Sequence, residues 1–145
     1  MFRHLLVPTD GSARAEAMVG RAMAFASRIG ARVTGLHVLP EYHVLTYRLT
    51  SLQDTKSTFA AEAARHADTF LAALSHAAAQ AGVPCDTITA TDDHPWQAII
   101  ACAQQRECDL IVMSSHGKRG LQALLIGSET HKVLTHSTIP VLVFR

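Results

Sequence analysis

Short, nearly continuous apolar runs alternate along this chain with longer stretches in which apolar residues recur every three or four positions. The first pattern predicts strands buried on both faces, and the second predicts helices with one buried stripe. Strands are expected at Phe2–Pro8, Val33–Leu39, Cys85–Ala90, Asp109–Met113 and Ile139–Phe144. After the first strand, Val19, Ala22, Met23 and Ala26 repeat at helical spacing and predict a helix over Ala13–Ile29. The turn residues Thr9-Asp10-Gly11-Ser12 would open it and Gly30 would stop it. A longer helix is expected from about Asp54 to Ala81, with Phe59, Ala63, Ala67, Phe70, Leu71, Leu74 and Ala78 on one buried face and Gly82-Val83-Pro84 ending it. Pro95 suits a first helical position, and Trp96, Ile99, Ile100 and Ala103 carry a stripe on to about Glu107. A last short helix, Glu129–Thr135, would be capped by Ser128. Residues 41–52 follow neither period and read as a long loop, covering a site or a partner surface, or else packed at the domain edge.

Strands that alternate with helices imply a parallel sheet covered on both faces and joined by right-handed crossovers. Ligands of such α/β folds sit beyond the carboxyl ends of the strands, where the strand order reverses. If the first and fourth strands flank that reversal, Pro8-Thr9-Asp10 and Met113-Ser114-Ser115 face one crevice.

Composition narrows the classes of function. A chain of 145 residues, 48% hydrophobic and 17% charged, is expected to fold as one globular domain, 1–145. With 13 basic and 12 acidic residues its net charge is +1, so no broad field draws it to nucleic acid or an anionic membrane. The longest apolar runs are too short to span a bilayer, and the start M-F-R-H-L-L-V-P-T-D is unlike a signal peptide, which predicts a cytoplasmic protein. Cys85, Cys102 and Cys108 make an odd set without a C-x-x-C pair, the pattern of reduced structural thiols. The nine histidines are scattered and form no metal-ligand spacing. Asp92, Asp93 and His94 cluster beside a helix start, where acidic residues serve mainly as caps and dipole partners.

The stretch Met113–Ser128, M-S-S-H-G-K-R-G-L-Q-A-L-L-I-G-S, joins a buried strand to a helix N-terminus through a glycine-bearing loop. Unpaired backbone N–H groups and the helix dipole converge in such a segment, which makes it a candidate anion site. An ordinary strand-to-helix connection has the same local signature.

Five segments narrow that choice: V-P-T-D-G-S at Val7–Ser12, L-H-V at Leu36–Val38, D-L-I-V-M-S-S-H-G-K-R-G at Asp109–Gly120, L-I-G-S at Leu125–Ser128 and I-P-V-L-V at Ile139–Val143. In this order and spacing the chain resembles the universal stress protein family over nearly its whole length. The resemblance implies a Rossmann-like, five-stranded parallel α/β sheet of order 3-2-1-4-5 and a homodimer formed through the last strand, residues 139–145. It also implies binding of an adenine nucleotide, ATP foremost, with Mg2+ or Mn2+. The family's nucleotide motif, G-x2-G-x9-G-[S/T], falls on Ser114-x2-Gly117-x9-Gly127-Ser128, with serine in place of the first glycine.

By this resemblance Pro8, Thr9 and Asp10 line the adenine and ribose side, and Val38 meets the adenine. Ser115, His116 and Gly117 approach the ribose and first phosphates, with Met113 and Ser114 also in the nucleotide site and Lys118 and Arg119 nearby, and Gly127 and Ser128 offer donors to the outer phosphates. Ser114 would cost affinity if its position needed a positive φ or close approach. Glu129, where the family commonly has valine, places a carboxylate in the first turn of the phosphate-binding helix. There it either repels a triphosphate or joins a divalent cation in holding one. No P-loop lysine and no nucleophile–base pair is present, so the chain has no assigned catalytic residue, and slow ATP hydrolysis is the most enzymatic reading. The alternative is an interaction protein on the same fold that binds no nucleotide.

Overall fold

A computed structural model describes residues 1–42, 52–116 and 125–145, without the side chains of 52–55. Its elements are β1 (His4–Pro8), α1 (Ala13–Ile29), β2 (Arg32–Leu39), α2 (Leu52–Gln80), β3 (Cys85–Thr91), α3 (Pro95–Gln105), β4 (Leu110–Ser114), α4 (Ser128–His136) and β5 (Val141–Phe144). All four strand pairings are parallel and the sheet runs β3-β2-β1-β4-β5, the order the resemblance implies. From β1 the chain builds outward on one side through β2 and β3, then returns to add β4 and β5 on the other. The order therefore reverses between β1 and β4.

Strand alternation divides the core between two faces. Leu5, Val7, Val33, Leu110 and Val112 turn toward α1 and α2, where Met18, Ala22, Met23, Ala26, Leu74 and Ala78 meet them. Leu6, Leu36, Ile111 and Met113 turn the other way, onto Ile99, Cys102, Ala103 and Val133. Each fully buried leucine or isoleucine in these layers contributes about 1.5–3 kcal/mol by leaving water. Gly35 lets α2 seat against β2: a Cβ there would stand 2.6 Å from a methyl carbon of Leu74.

Several element ends differ from the sequence pattern because particular side-chain hydrogen bonds set them. The Arg3 and His4 amides donate to the Asp109 carboxylate at 2.8 and 3.0 Å, and β1 begins only at His4. Burial pushes the Asp109 pKa up, but these backbone hydrogen bonds outweigh it and hold the carboxyl below its ordinary range. Pro140 has no N–H, and the Ile139 amide and carbonyl both bond the Ser137 hydroxyl at 3.0 and 2.8 Å, so β5 begins at Val141. Ser12 caps α1, accepting from Ala15 N–H at 3.2 Å, and Gly30 ends it at φ 68°. Gly127, not Ser128, holds the cap position of α4; Ser128 is the first helical residue.

All three cysteines are free thiols. Burial, and secondarily Cys102 beside it, pushes the Cys108 thiol up to about 12, so it stays protonated. Among the described residues no helix is long and apolar enough to cross a membrane.

Candidate functional site

The reversal of strand order opens a cleft of about 750 Å³ beyond the carboxyl ends of β1, β2 and β4. Pro8, Thr9 and Asp10 leave β1 as one wall, beside Leu36, His37, Val38, Leu39 and Pro40 from β2. The Thr9 amide extends the ladder by donating to Leu36 O at 2.8 Å, which keeps this turn flush with the end of β2. His37 Nδ1 lies 2.8 Å from Thr9 O; a carbonyl only accepts, so this ring nitrogen carries the proton. Asp10 accepts from Ser12 N–H at 3.0 Å, which shapes the entry to α1. The sequence pattern allowed Asp10 to cap that helix, but Ser12 fills the cap and Asp10 acts one step earlier.

A second wall comes from α2, whose Phe59, Glu62, Ala63, His66 and Phe70 fall on one helical stripe. The Phe70 ring is edge-on to His37 at 5.2 Å and near-parallel to His66 at 6.0 Å. It also covers Gly11, whose φ of 74° and lack of a side chain allow that approach. Gly11, Phe70, His37 and Thr9 thus interlock the loop after β1 with α2. At the outer end of the stripe, Phe59 meets Tyr42 with ring centroids 5.3 Å apart.

The third wall is built from β4 and the N-termini of α3 and α4. Met113, Ser114, Gly127, Ser128, Glu129 and Thr130 line it, together with Asp92, Asp93, Pro95 and Ile99. Ser114 lies in β4, in register with Phe144, and Glu107 is the one positive-φ residue other than glycine among those described. Serine in place of the motif's first glycine therefore carries no backbone strain here. The Ser114 hydroxyl donates to His116 O at 2.8 Å, and its carbonyl accepts from the Thr130 hydroxyl at 2.9 Å. The Gly127 amide donates to Ser115 O at 2.6 Å, joining the start of α4 to the end of β4.

The first bond within α4 is His131 N–H to Gly127 O at 2.9 Å. By helix geometry the amides of Ser128, Glu129 and Thr130 have no acceptor inside the helix. With the helix dipole they form an anion-attracting corner of the cleft. Glu129 points elsewhere: its Oε2 accepts from Trp96 N–H, the second residue of α3, at 2.9 Å, and its Oε1 lies 3.3 Å from Lys132 Nζ.

Nine of the residues expected from the sequence line this one cleft: Pro8, Thr9, Asp10, Val38, Met113, Ser114, Gly127, Ser128 and Glu129. Ser115 and His116 do not. Ser115 donates its amide to Phe144 O at 2.8 Å, and its hydroxyl lies 3.1 Å from Nδ1 of the buried His116. Gly117, Lys118 and Arg119 lie outside the described residues, as do residues 43–51 of the expected long loop. The α2 wall was not anticipated; its signal was present in the stripe of Phe59, Ala63 and Phe70, which the sequence pattern assigned to the core. The Asp92-Asp93 turn was read only as caps and dipole partners, and it also lines the cleft. Asp92 accepts from His94 N–H at 2.8 Å, a turn contact before α3, and the cap residue of α3, His94, makes no side-chain cap hydrogen bond. Among the described residues no group of three or more His, Cys, Asp or Glu is placed to hold a metal ion.

Comparison with known proteins gives the same architecture. The model of the universal stress protein family matches residues 1–145. The universal stress protein YxiE of Bacillus subtilis is 33% identical over 149 residues, covering 100% of each chain. The solved structure of protein MJ0577, of Methanocaldococcus jannaschii, superposes with a TM-score of 0.85 at 27% identity, covering 99% of this chain and 95% of that one. Two more distant universal stress proteins share the fold. One, solved in complex with cAMP, is 22% identical with a TM-score of 0.73 and covers 99% of this chain and 97% of its own. The other, from Archaeoglobus fulgidus in complex with dAMP, is 18% identical with a TM-score of 0.67 and covers 100% and 98%. The chain belongs to the universal stress protein family.

Proposed function

We propose that the cleft binds an adenine nucleotide and that the protein acts in stress response in the cytoplasm, as a homodimer. One observation carries this reading: a single cleft joins apolar walls from β2 and α2 to the amides at the start of α4 that have no acceptor inside the helix. A purine suits the first and a phosphate the second. Val38 and Pro8 would pack on the base. Asp10 would accept from a ribose hydroxyl, since a carboxylate takes up to about four hydrogen bonds. Relatives of the same fold in complex with cAMP and dAMP support the class of ligand. ATP, the nucleotide the sequence motif implies, falls within that class, and Mg2+ or Mn2+ would enter with its phosphates.

Mass spectrometry of small molecules released from freshly purified protein, with thermal melts in AMP, ADP and ATP, tests the reading. Ligand at one hundred times its Kd stabilises by about 2.7 kcal/mol, roughly 5–10 °C for a chain of this size. No retained nucleotide, and no shift with Mg2+ present, would favour an interaction protein that binds none.

The dimer would form at the free edge of β5, the last strand of the sheet. Ile111 N–H donates to Pro140 O and Ser115 N–H to Phe144 O, at 2.9 and 2.8 Å. By strand alternation the Val141 and Val143 amides then point away from β4, toward a pairing partner. Val143→Pro removes one outward donor and leaves the β4 ladder intact. Light scattering should then report the mass of one chain instead of two, with unchanged circular dichroism. A variant that keeps the wild-type mass would exclude edge pairing at β5.

A further inference from the structure

We propose that His37 Nε2 accepts a hydrogen bond from the 6-amino group of the base and so selects adenine among purines, an inference that rests on the adenine-nucleotide reading. His37 is 8% exposed and belongs to the wall that β2 gives the cleft. Its ring is fixed from two sides. Nδ1 donates to Thr9 O at 2.8 Å, and the Phe70 ring of α2 packs edge-on to it with centroids 5.2 Å apart. With the proton on Nδ1, the neutral ring keeps a lone pair on Nε2. Among the described residues, the buried polar side-chain atoms without a partner are His4 Nδ1 and His116 Nε2. His37 Nε2 makes no hydrogen bond among those described and is not one of these sealed atoms, so it opens onto the cleft that its residue lines.

The other buried polar side chains described in the lining already have protein partners. Thr9 Oγ1 accepts from Gly11 N–H at 3.3 Å, and the Thr130 hydroxyl donates to Ser114 O at 2.9 Å. Glu62 and Asp93 are exposed, so water competes for their carboxylates. Strand alternation places the base beside His37. Val38 faces the α3 side of the sheet, against the cluster of Leu36 and Ile99, while His37 just before it faces α2. A purine held at the end of β2 therefore meets an aliphatic side chain from one side and an imidazole edge from the other. The exocyclic amino group of adenine answers a lone pair there, and a purine without that group leaves a largely desolvated acceptor unpaired.

Calorimetric titration of the full chain with AMP and with purine riboside 5′-monophosphate, which lacks only the 6-amino group, tests this at mildly alkaline pH, where a histidine ring is neutral. AMP should bind at least about tenfold more tightly. His37→Asn keeps an N–H donor for Thr9 O but has no atom in the place of Nε2, and should lower the ratio to about threefold or less. His37→Gln carries an amide oxygen to that place, and its ratio should stand above that of His37→Asn. A wild-type ratio near one, or a ratio no lower in His37→Asn than in the wild type, would overturn the proposal. Failure of both nucleotides to bind the folded wild-type chain would instead defeat the adenine-nucleotide reading beneath it.

Discussion

Replacing Gly11 with alanine should destabilise the protein by about 2–5 kcal/mol, more than any other single methyl added to the turn after β1. Two independent causes combine. Gly11 has φ 74°, where an L residue costs about 1–2 kcal/mol. Its missing Cβ is also the space into which the Phe70 ring packs, and overfilling such a contact costs about 1–3 kcal/mol. Gly30 separates the two: its φ is 68° but nothing lies within 4 Å of an added Cβ, so Gly30→Ala carries the backbone cost alone. The difference between the two variants in urea denaturation isolates the Phe70 contact. Equal losses would mean that the ring moves aside freely and that Gly11 and Phe70 do not interlock. Because the Phe70 ring also packs edge-on to His37, Gly11→Ala should weaken ligand binding beyond what its stability loss explains.

Ser128→Glu should separate stability from binding. Ser128 is exposed and is the first helical residue of α4. A carboxylate there is favoured by the helix dipole by about 0.3–1 kcal/mol, and glutamate forms helix more readily than serine. Thermal stability should hold or rise. The new charge nevertheless stands where a phosphate would sit, and two unit charges about 4 Å apart repel by about 1 kcal/mol in water and about 4 kcal/mol at an effective dielectric of 20. AMP affinity should fall at least about tenfold, while uncharged adenosine should bind within about threefold of its wild-type affinity. Equal losses for AMP and adenosine would place the phosphate away from α4.

The alternation of apolar runs and helical stripes was enough to identify five strands and four helices in their observed order, because strands buried on both faces and amphipathic helices leave different periods in sequence. Their ends were less legible, since side chains distant in sequence set them. Asp109 captures the Arg3 and His4 amides from 106 and 105 residues away, which no local window reports. The Pro8-Thr9-Asp10 turn and the Gly127-Ser128 corner were readable because each is a compact chain segment at a strand or helix end. The α2 wall was not. Phe59 and Phe70 share one apolar stripe with Leu74 and Ala78, yet only the lower part of that stripe meets the sheet, while the upper part overhangs the cleft. Periodicity gives the face of a helix, and the packing of the whole domain decides what that face meets. Glu129 shows the same limit: its place in the first turn was plain, but its bond to Trp96 N–H depends on how α3 and α4 pack.

Adenine-nucleotide binding in the described cleft is tested most directly by the amide nitrogen–proton NMR spectrum of the labelled full chain, titrated with AMP. Binding there should give saturable shifts concentrated at Thr9, Asp10, Val38, Gly127, Ser128, Glu129 and Thr130, with the Arg3, His4 and Asp109 end of the sheet unmoved. A spectrum unchanged at millimolar AMP, or shifts that saturate away from the carboxyl ends of β1, β2 and β4, would contradict it.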